Sequence, residues 1–190
     1  MFVLSASSIP EGAALHRLRT LSRTMQRLTT CGGAVALICA AWIWFGLPAA
    51  ELERVVRGIT HASTAYPVQV SPMHRTAGFL ATGIGLGLII CALYQARQMF
   101  AAFGRGEVLT IDTAVRLRRI ALALTALGPS IPLIRLLTGL ALVGAPGEPY
   151  GVLAFTLGDY FVSLLGGLLL AIAWAMVEAA RIAEENKGFV

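Results

Sequence analysis

The apolar residues of this chain fall in blocks rather than in scattered stripes. A helix needs ~20 apolar residues to cross a bilayer. Four stretches meet or approach that length: CGGAVALICAAWIWFGLPAA at about 31–49, TAGFLATGIGLGLIICALYQA at about 76–96, IALALTALGPSIPLIRLLTGLALVGA at about 120–145 and DYFVSLLGGLLLAIAWAMVEA at about 159–179. Pro48 closes the first block, Arg97 closes the second, and Arg119 stands just before the third. The pattern predicts an all-α integral membrane bundle of four transmembrane helices, a single membrane domain over residues 1–190.

The polar connections carry weaker signals. Between the first two blocks, at 50–75, ELERVVRGIT reads as a short helix, and HASTAYPVQVSP reads as extended or irregular because of Pro67 and Pro72. A loop of this size is too short to bury a core of its own. The connection at 146–158 predicts a short turn or hairpin. Ahead of the first block, Leu15, Leu18, Met25 and Leu28 recur at helical spacing with arginines between them. Residues 1–30 are therefore expected to hold a basic cytoplasmic helix, lying on the inner leaflet or extending the first span; the spacing alone fits both.

Composition strengthens the membrane reading. Hydrophobic residues make up 57% of the chain and charged residues 13%, about half the proportion of a soluble domain. The net charge of +5 comes almost wholly from arginine, since Lys187 is the only lysine. Basic proteins bind nucleic acid or anionic lipid. Here the arginines flank apolar spans and no recognition motif accompanies them, so membrane lipid is the expected partner and direct nucleic-acid binding is not expected. Cys31, Cys39 and Cys91 form no CxxC pair and read as small packing residues. The opening MFVLSASSIPEGAAL lacks a basic segment before an apolar core, so the first span is expected to act as an uncleaved anchor.

Charge placement predicts orientation. Arg17, Arg19, Arg23 and Arg27 precede span one; Arg97, Arg105, Arg116, Arg118 and Arg119 lie between spans two and three, at 97–119; Arg181 and Lys187 lie in the tail, 180–190. Only Arg54, Arg57 and Arg75 fall on the other side, a bias of eleven to three that predicts both termini in the cytoplasm of a bacterial inner membrane. The segment FGRGEVLTIDTAVRLRRI, 103–120, is the most patterned of these connections. Gly104 and Gly106 break one helix and Thr110 caps the next, with Asp112 in its first turn. Arg105, Arg116, Arg118 and Arg119 are candidate contacts for anionic lipid or a cytoplasmic protein.

Two blocks resemble a known family. YQARQMFAAFGRGEVLTIDTAVRLRRI, 94–120, has a span ending in basic and aromatic residues, then Gly-Glu-Val, a capping residue and Leu-Arg-Arg. AWAMVEAARIAEENKGFV, 173–190, has a closing run of Glu, Ala, Arg, Glu-Glu-Asn and a final Phe-Val. Together they are similar to the bacterial four-span membrane proteins grouped as domain of unknown function 2975 (DUF2975). The resemblance covers about 75–190, with Leu109 standing where an aromatic is common. It implies a four-span inner-membrane protein with cytoplasmic ends and no established activity.

Candidate chemistry is sparse. His16, His61 and His74 are the only histidines, and their spacing matches no dense metal-ligand set. No hydrolase elbow or zinc-protease motif is present, so neither catalysis, a metal nor a cofactor is expected. Gly83 and Gly87 form a small-xxx-small face for close helix approach, with Gly166 and Gly167 as the expected opposing surface, within the bundle or in a homo-oligomer. Glu178, Glu184 and Glu185 are expected to meet the arginines of 116–119 in an ionic clasp. The sharpest feature is Arg135, past Pro129 and Pro132 in span three. It lies ~24 Å along a core of ~30 Å, at a depth similar to Asp159 at the start of span four. The expectations are a snorkelling Arg135 beside a capping Asp159, an intramembrane ion pair, or a solute site. The function predicted is a non-catalytic interaction or regulatory module that presents a basic cytoplasmic face to a partner or to anionic lipid. The alternative is a small transporter or channel subunit with its site near Arg135 and Asp159.

Overall fold

The computed structural model describes residues 11–60, 68–107, 110–142 and 155–187, and within them every long element is helical. Helix α1 runs Glu11–Ala41 and passes directly into a π-helical turn, Trp42–Gly46. Four more helices follow: α2 at Ala49–Thr60, α3 at Pro72–Gly104, α4 at Ile111–Leu142 and α5 at Leu157–Lys187. The α1–π unit and helices α3, α4 and α5 are each long and apolar enough to cross a membrane, which makes this a multi-pass membrane protein with four spans.

Helix starts follow local capping chemistry. Thr110 and Thr113 cap α4 reciprocally: the Thr113 amide donates to Thr110 Oγ1 at 3.3 Å, and the Thr110 amide donates to Thr113 Oγ1 at 3.2 Å. Thr156 and Asp159 repeat that box at α5, the Thr156 amide donating to Asp159 Oδ2 at 2.9 Å and the Asp159 amide to Thr156 Oγ1 at 3.4 Å. At α3, Pro72 follows the N-cap Ser71, whose hydroxyl accepts from the His74 amide and lies 2.6 Å from His74 Nδ1. The expected Thr110 cap is therefore one of three Ser/Thr-x-x boxes. Between α3 and α4 the chain turns at Gly106, whose φ of 89° suits glycine.

Several expected boundaries shift. The N-terminal basic segment is not a separate helix from residue 11 onward; it is the first half of α1. It packs through Ser22, buried, while Leu28 of the expected apolar stripe points outward at 57% exposure. The helix expected after Thr110 begins at Ile111, carries Arg116, Arg118 and Arg119 and runs unbroken into span three, and the 180–190 tail is helical as far as Lys187. Pro129 and Pro132 lie inside α4, which runs on through both. The 146–154 part of the second connection, residues 61–67 and His61 among them, and Leu109 lie outside the described residues.

Consecutive spans pack antiparallel in a row: α1 on α3, α3 on α4 and α4 on α5. Close approach comes from small residues. A Cβ on Gly78 would overlap the Trp44 ring, one on Gly128 the Ser163 hydroxyl, and one on Gly166 the backbone of Thr125. Along α5 the buried positions are Asp159, Gly166, Ala173 and Ala180, seven residues apart, the 3.5-residue seam of left-handed helix pairs. Buried hydrophobic side chains form two clusters, a smaller one of Ala92, Ile120 and Ala123 between α3 and α4 and a larger one beside α2. There Trp44, Leu52, Val56 and Leu142 form a cluster that seats α2 on the spans. The segment expected to lack a core of its own thus borrows one from its neighbours.

Candidate functional site

At the α2 end two arginines are fully engaged. Arg135 forms a two-point ion pair with Asp159, Nη1 to Oδ2 at 2.7 Å and Nη2 to Oδ1 at 3.3 Å. The geometry is the fork-to-fork arrangement that makes guanidinium–carboxylate contacts strong. Asp159 is 3% exposed, so removing its partner would leave a buried charge. The expected ion pair is formed, in place of a snorkelling Arg135, and Asp159 also joins the α5 cap, its Oδ2 shared between the Thr156 amide and the guanidinium. Position three of a helix also favours negative charge through the macrodipole. The crossing of α4 and α5 at Gly128 and Ser163 brings the two side chains within reach.

Arg75 is the residue that sequence reasoning missed. Its Nη1 donates to the Trp44 carbonyl at 2.9 Å and its Nη2 to the Leu47 carbonyl at 3.0 Å. The π turn and Pro48 leave these carbonyls without ordinary helical partners, and Arg75 ties them to α3. Trp44 adds a second tie, its Nε1 donating to Thr82 Oγ1 at 3.0 Å. The signal was an arginine one turn inside a span, opposite the helix-breaking Gly-Leu-Pro. Beside this end a cleft of about 690 Å³ opens between α2, α3 and α4, lined mainly by aliphatic residues such as Leu86, Ile89, Leu127 and Ile134, with Arg135 on its wall.

The other end is built differently. Ser22 and Gln26 of α1 face Gly104 of α3. Around this contact Arg19, Arg23, Gln26, Ala101 and Arg105 line a cleft of about 580 Å³. Arg105 is held by Glu107, Nη2 to Oε2 at 2.8 Å, on the surface. The hydrogen bond from Arg105 holds the Glu107 carboxyl below its ordinary range, with Arg116 close enough to add to the effect. Arg118 and Arg119 are exposed and Arg116 is half-buried.

Other expected contacts are not formed. Glu185 pairs with Arg181 on its own helix at 3.0 Å, rather than with the arginines of 116–119, because both lie one turn apart on α5. The Glu184 side chain lies outside the described residues. Gly83 and Gly87 meet no side chain within 4 Å, and neither does Gly167. The face of α3 that packs carries Gly78, Ala81 and Gly85 instead, and Gly166 opposes Thr125 of α4, not α3. Within the chain, helix phase explains the difference, since residues 83 and 87 lie on a different side of α3 from 78 and 85. Among the described residues no group of His, Cys, Asp and Glu is placed to hold a metal ion.

A family model described as "Protein of unknown function (DUF2975)" matches residues 57–188, more than half of the chain. This four-span membrane protein belongs to that family. No curated protein and no solved structure matches it.

Proposed function

We propose that this protein is a non-catalytic interaction or regulatory module of a bacterial inner membrane, with both termini in the cytoplasm, which presents a basic face to a cytoplasmic partner or to anionic lipid. The observation that carries this reading is the antiparallel packing of successive spans. It gathers the first half of α1, the α3–α4 turn and the end of α5 at one end of the molecule. Exposed Arg19, Arg23, Arg27, Arg97, Arg118, Arg119 and Arg181 all stand there. Such a concentration of arginine follows the positive-inside rule and creates a field that attracts anionic surfaces.

The test is purification of the full-length protein from native membranes in mild detergent, with mass spectrometry of co-eluting proteins. The reading expects a stoichiometric cytoplasmic protein that is lost when Arg116, Arg118 and Arg119 are changed together to Gln. A protein that elutes alone, or a partner indifferent to those changes, counts against it. A second reading, a small transporter or channel subunit, draws on the aliphatic cleft that reaches Arg135. Solute flux into proteoliposomes that falls with Arg135→Gln and Asp159→Asn would favour it.

A further inference from the structure

The arginines of this protein sort by whether they have an acceptor. Arg57 bonds Glu53, Arg75 bonds two carbonyls, Arg105 bonds Glu107, Arg135 bonds Asp159 and Arg181 bonds Glu185. Arg19, Arg23, Arg27, Arg54, Arg97, Arg118 and Arg119 bond no other described residue, and of these Arg19 and Arg23 alone line a cleft among the described residues, the one between α1 and the end of α3. They stand one turn apart on the same face, where like charges repel. Gln26, on the next turn, adds a neutral amide to the same cleft.

We propose that this cleft binds the phosphate of an anionic phospholipid, with Arg19 and Arg23 as its ligands and Gln26 as an amide donor. The inference rests on the basic-face reading above and gives that face a defined ligand. Two guanidiniums on successive turns offer forks of N–H donors that match phosphate oxygens, and a bound anion removes their mutual repulsion. Arg105 forms the far wall while keeping Glu107 as its own partner. The same face of α1 favours a lipid over a free phosphate. Eighteen residues, or five turns, beyond Arg19 lies Leu37, 47% exposed, and between them the face carries exposed Thr30 and Ala34. A phosphate held at Arg23 thus has a continuous outward surface of α1 for its acyl chain to lie against.

Full-length protein in nanodiscs of phosphatidylcholine alone, or of equal parts phosphatidylcholine and phosphatidylglycerol, tests this by native mass spectrometry of the lipid retained on release. Wild type retains phosphatidylglycerol in preference to phosphatidylcholine. Arg19→Gln with Arg23→Gln lowers that retention roughly tenfold, the loss of about one charge-assisted contact. Arg54→Gln, an exposed arginine of α2, leaves it unchanged. Equal retention by wild type and the double variant overturns the proposal. Circular dichroism verifies helix content, and single Arg19→Gln and Arg23→Gln variants replace the double if it unfolds. Displacement of phosphatidylglycerol by inorganic phosphate alone would reassign the cleft to a free anion and overturn the lipid assignment. The partner capture described above is a separate readout. A wild type without lipid selectivity that still captures its partner overturns only the lipid site, whereas a missing partner with selectivity intact overturns only the wider reading.

Discussion

One end of this molecule draws arginines into its packing, while the other leaves most of them on the surface. At the α2 end, Arg75 and Arg135 are absorbed into the fold, one closing a π turn and the other neutralising a buried capping aspartate. Large side chains, Trp44, Leu52, Val56 and Leu142, fill the space around them. At the other end the helices touch through Ser22, Gln26 and Gly104, and Arg19 and Arg23 stand open around a cleft. An arginine near a membrane surface thus has two physical fates. It is satisfied from within, where it stabilises one arrangement of helices, or it waits for an anion from outside. Sequence position relative to a span does not tell these apart; the acceptors do.

Substitutions at the Arg135–Asp159 pair should break this contrast most severely. Removing either side chain leaves the other charge buried, and a loss of about 3 kcal/mol is expected for Arg135→Ala or Asp159→Ala. The double variant should lose less than the sum of the two, because each single change already forfeits the pair. Reversible unfolding in mixed micelles measures all three. Independent, additive losses would show that the pair is not coupled.

Close helix contacts come next. Gly166→Ala places a methyl group against the Thr125 backbone, and overpacking of this kind costs about 1–3 kcal/mol. Gly167→Ala meets open space and should fall within about 0.5 kcal/mol of wild type. Unfolding midpoints of the two variants, compared side by side, decide whether α5 packs on α4 in this register. Arg75→Met, which keeps bulk and loses two hydrogen bonds to carbonyls, should cost about 1.5–3 kcal/mol. Arg23→Gln at the opposite end should cost less than about 0.5 kcal/mol in the same assay.

The smallest effect expected is that of pH at Arg105 and Glu107. The hydrogen bond from Arg105 lowers the folded-state pKa of Glu107. Its contribution to stability is therefore complete above the ordinary carboxylate range and is lost as pH falls through the lowered value. Both groups are on the surface, where solvent screens the pair. Acid titration of wild type and Glu107→Gln should give stability curves that differ only slightly, and only at the acid end. A large difference near neutral pH would mean that the turn is buried against something else.

Much of the architecture was legible in the sequence because spans are long and their composition is extreme. The four blocks became four spanning helices, ELERVVRGIT became α2, and Thr110 became a cap. The meeting of Arg135 with Asp159 was also within reach, since equal depth on consecutive antiparallel helices follows from the rise per residue. Other features depended on helix phase and on neighbours. Gly78, Gly83, Gly85 and Gly87 all look alike in one dimension, and only the packing of α3 selects 78 and 85. Arg75 answers to backbone carbonyls freed by a π turn; its place opposite Gly-Leu-Pro signals a role, but the acceptors appear only once the turn is formed. The boundaries moved because the apolar blocks mark where lipid covers a helix, while the helices continue beyond into water until a cap or a glycine stops them.

The most direct test of the account is a matched set of Arg→Gln variants, read for both stability and co-purifying partner in the same preparations. The set is Arg75, Arg135 and the combined change of Arg116, Arg118 and Arg119. The account predicts that the Arg75 and Arg135 variants lose stability, and that the combined variant keeps its stability but loses the partner. A combined variant that unfolds, or that keeps its partner at full occupancy, would contradict the division of labour between the two ends.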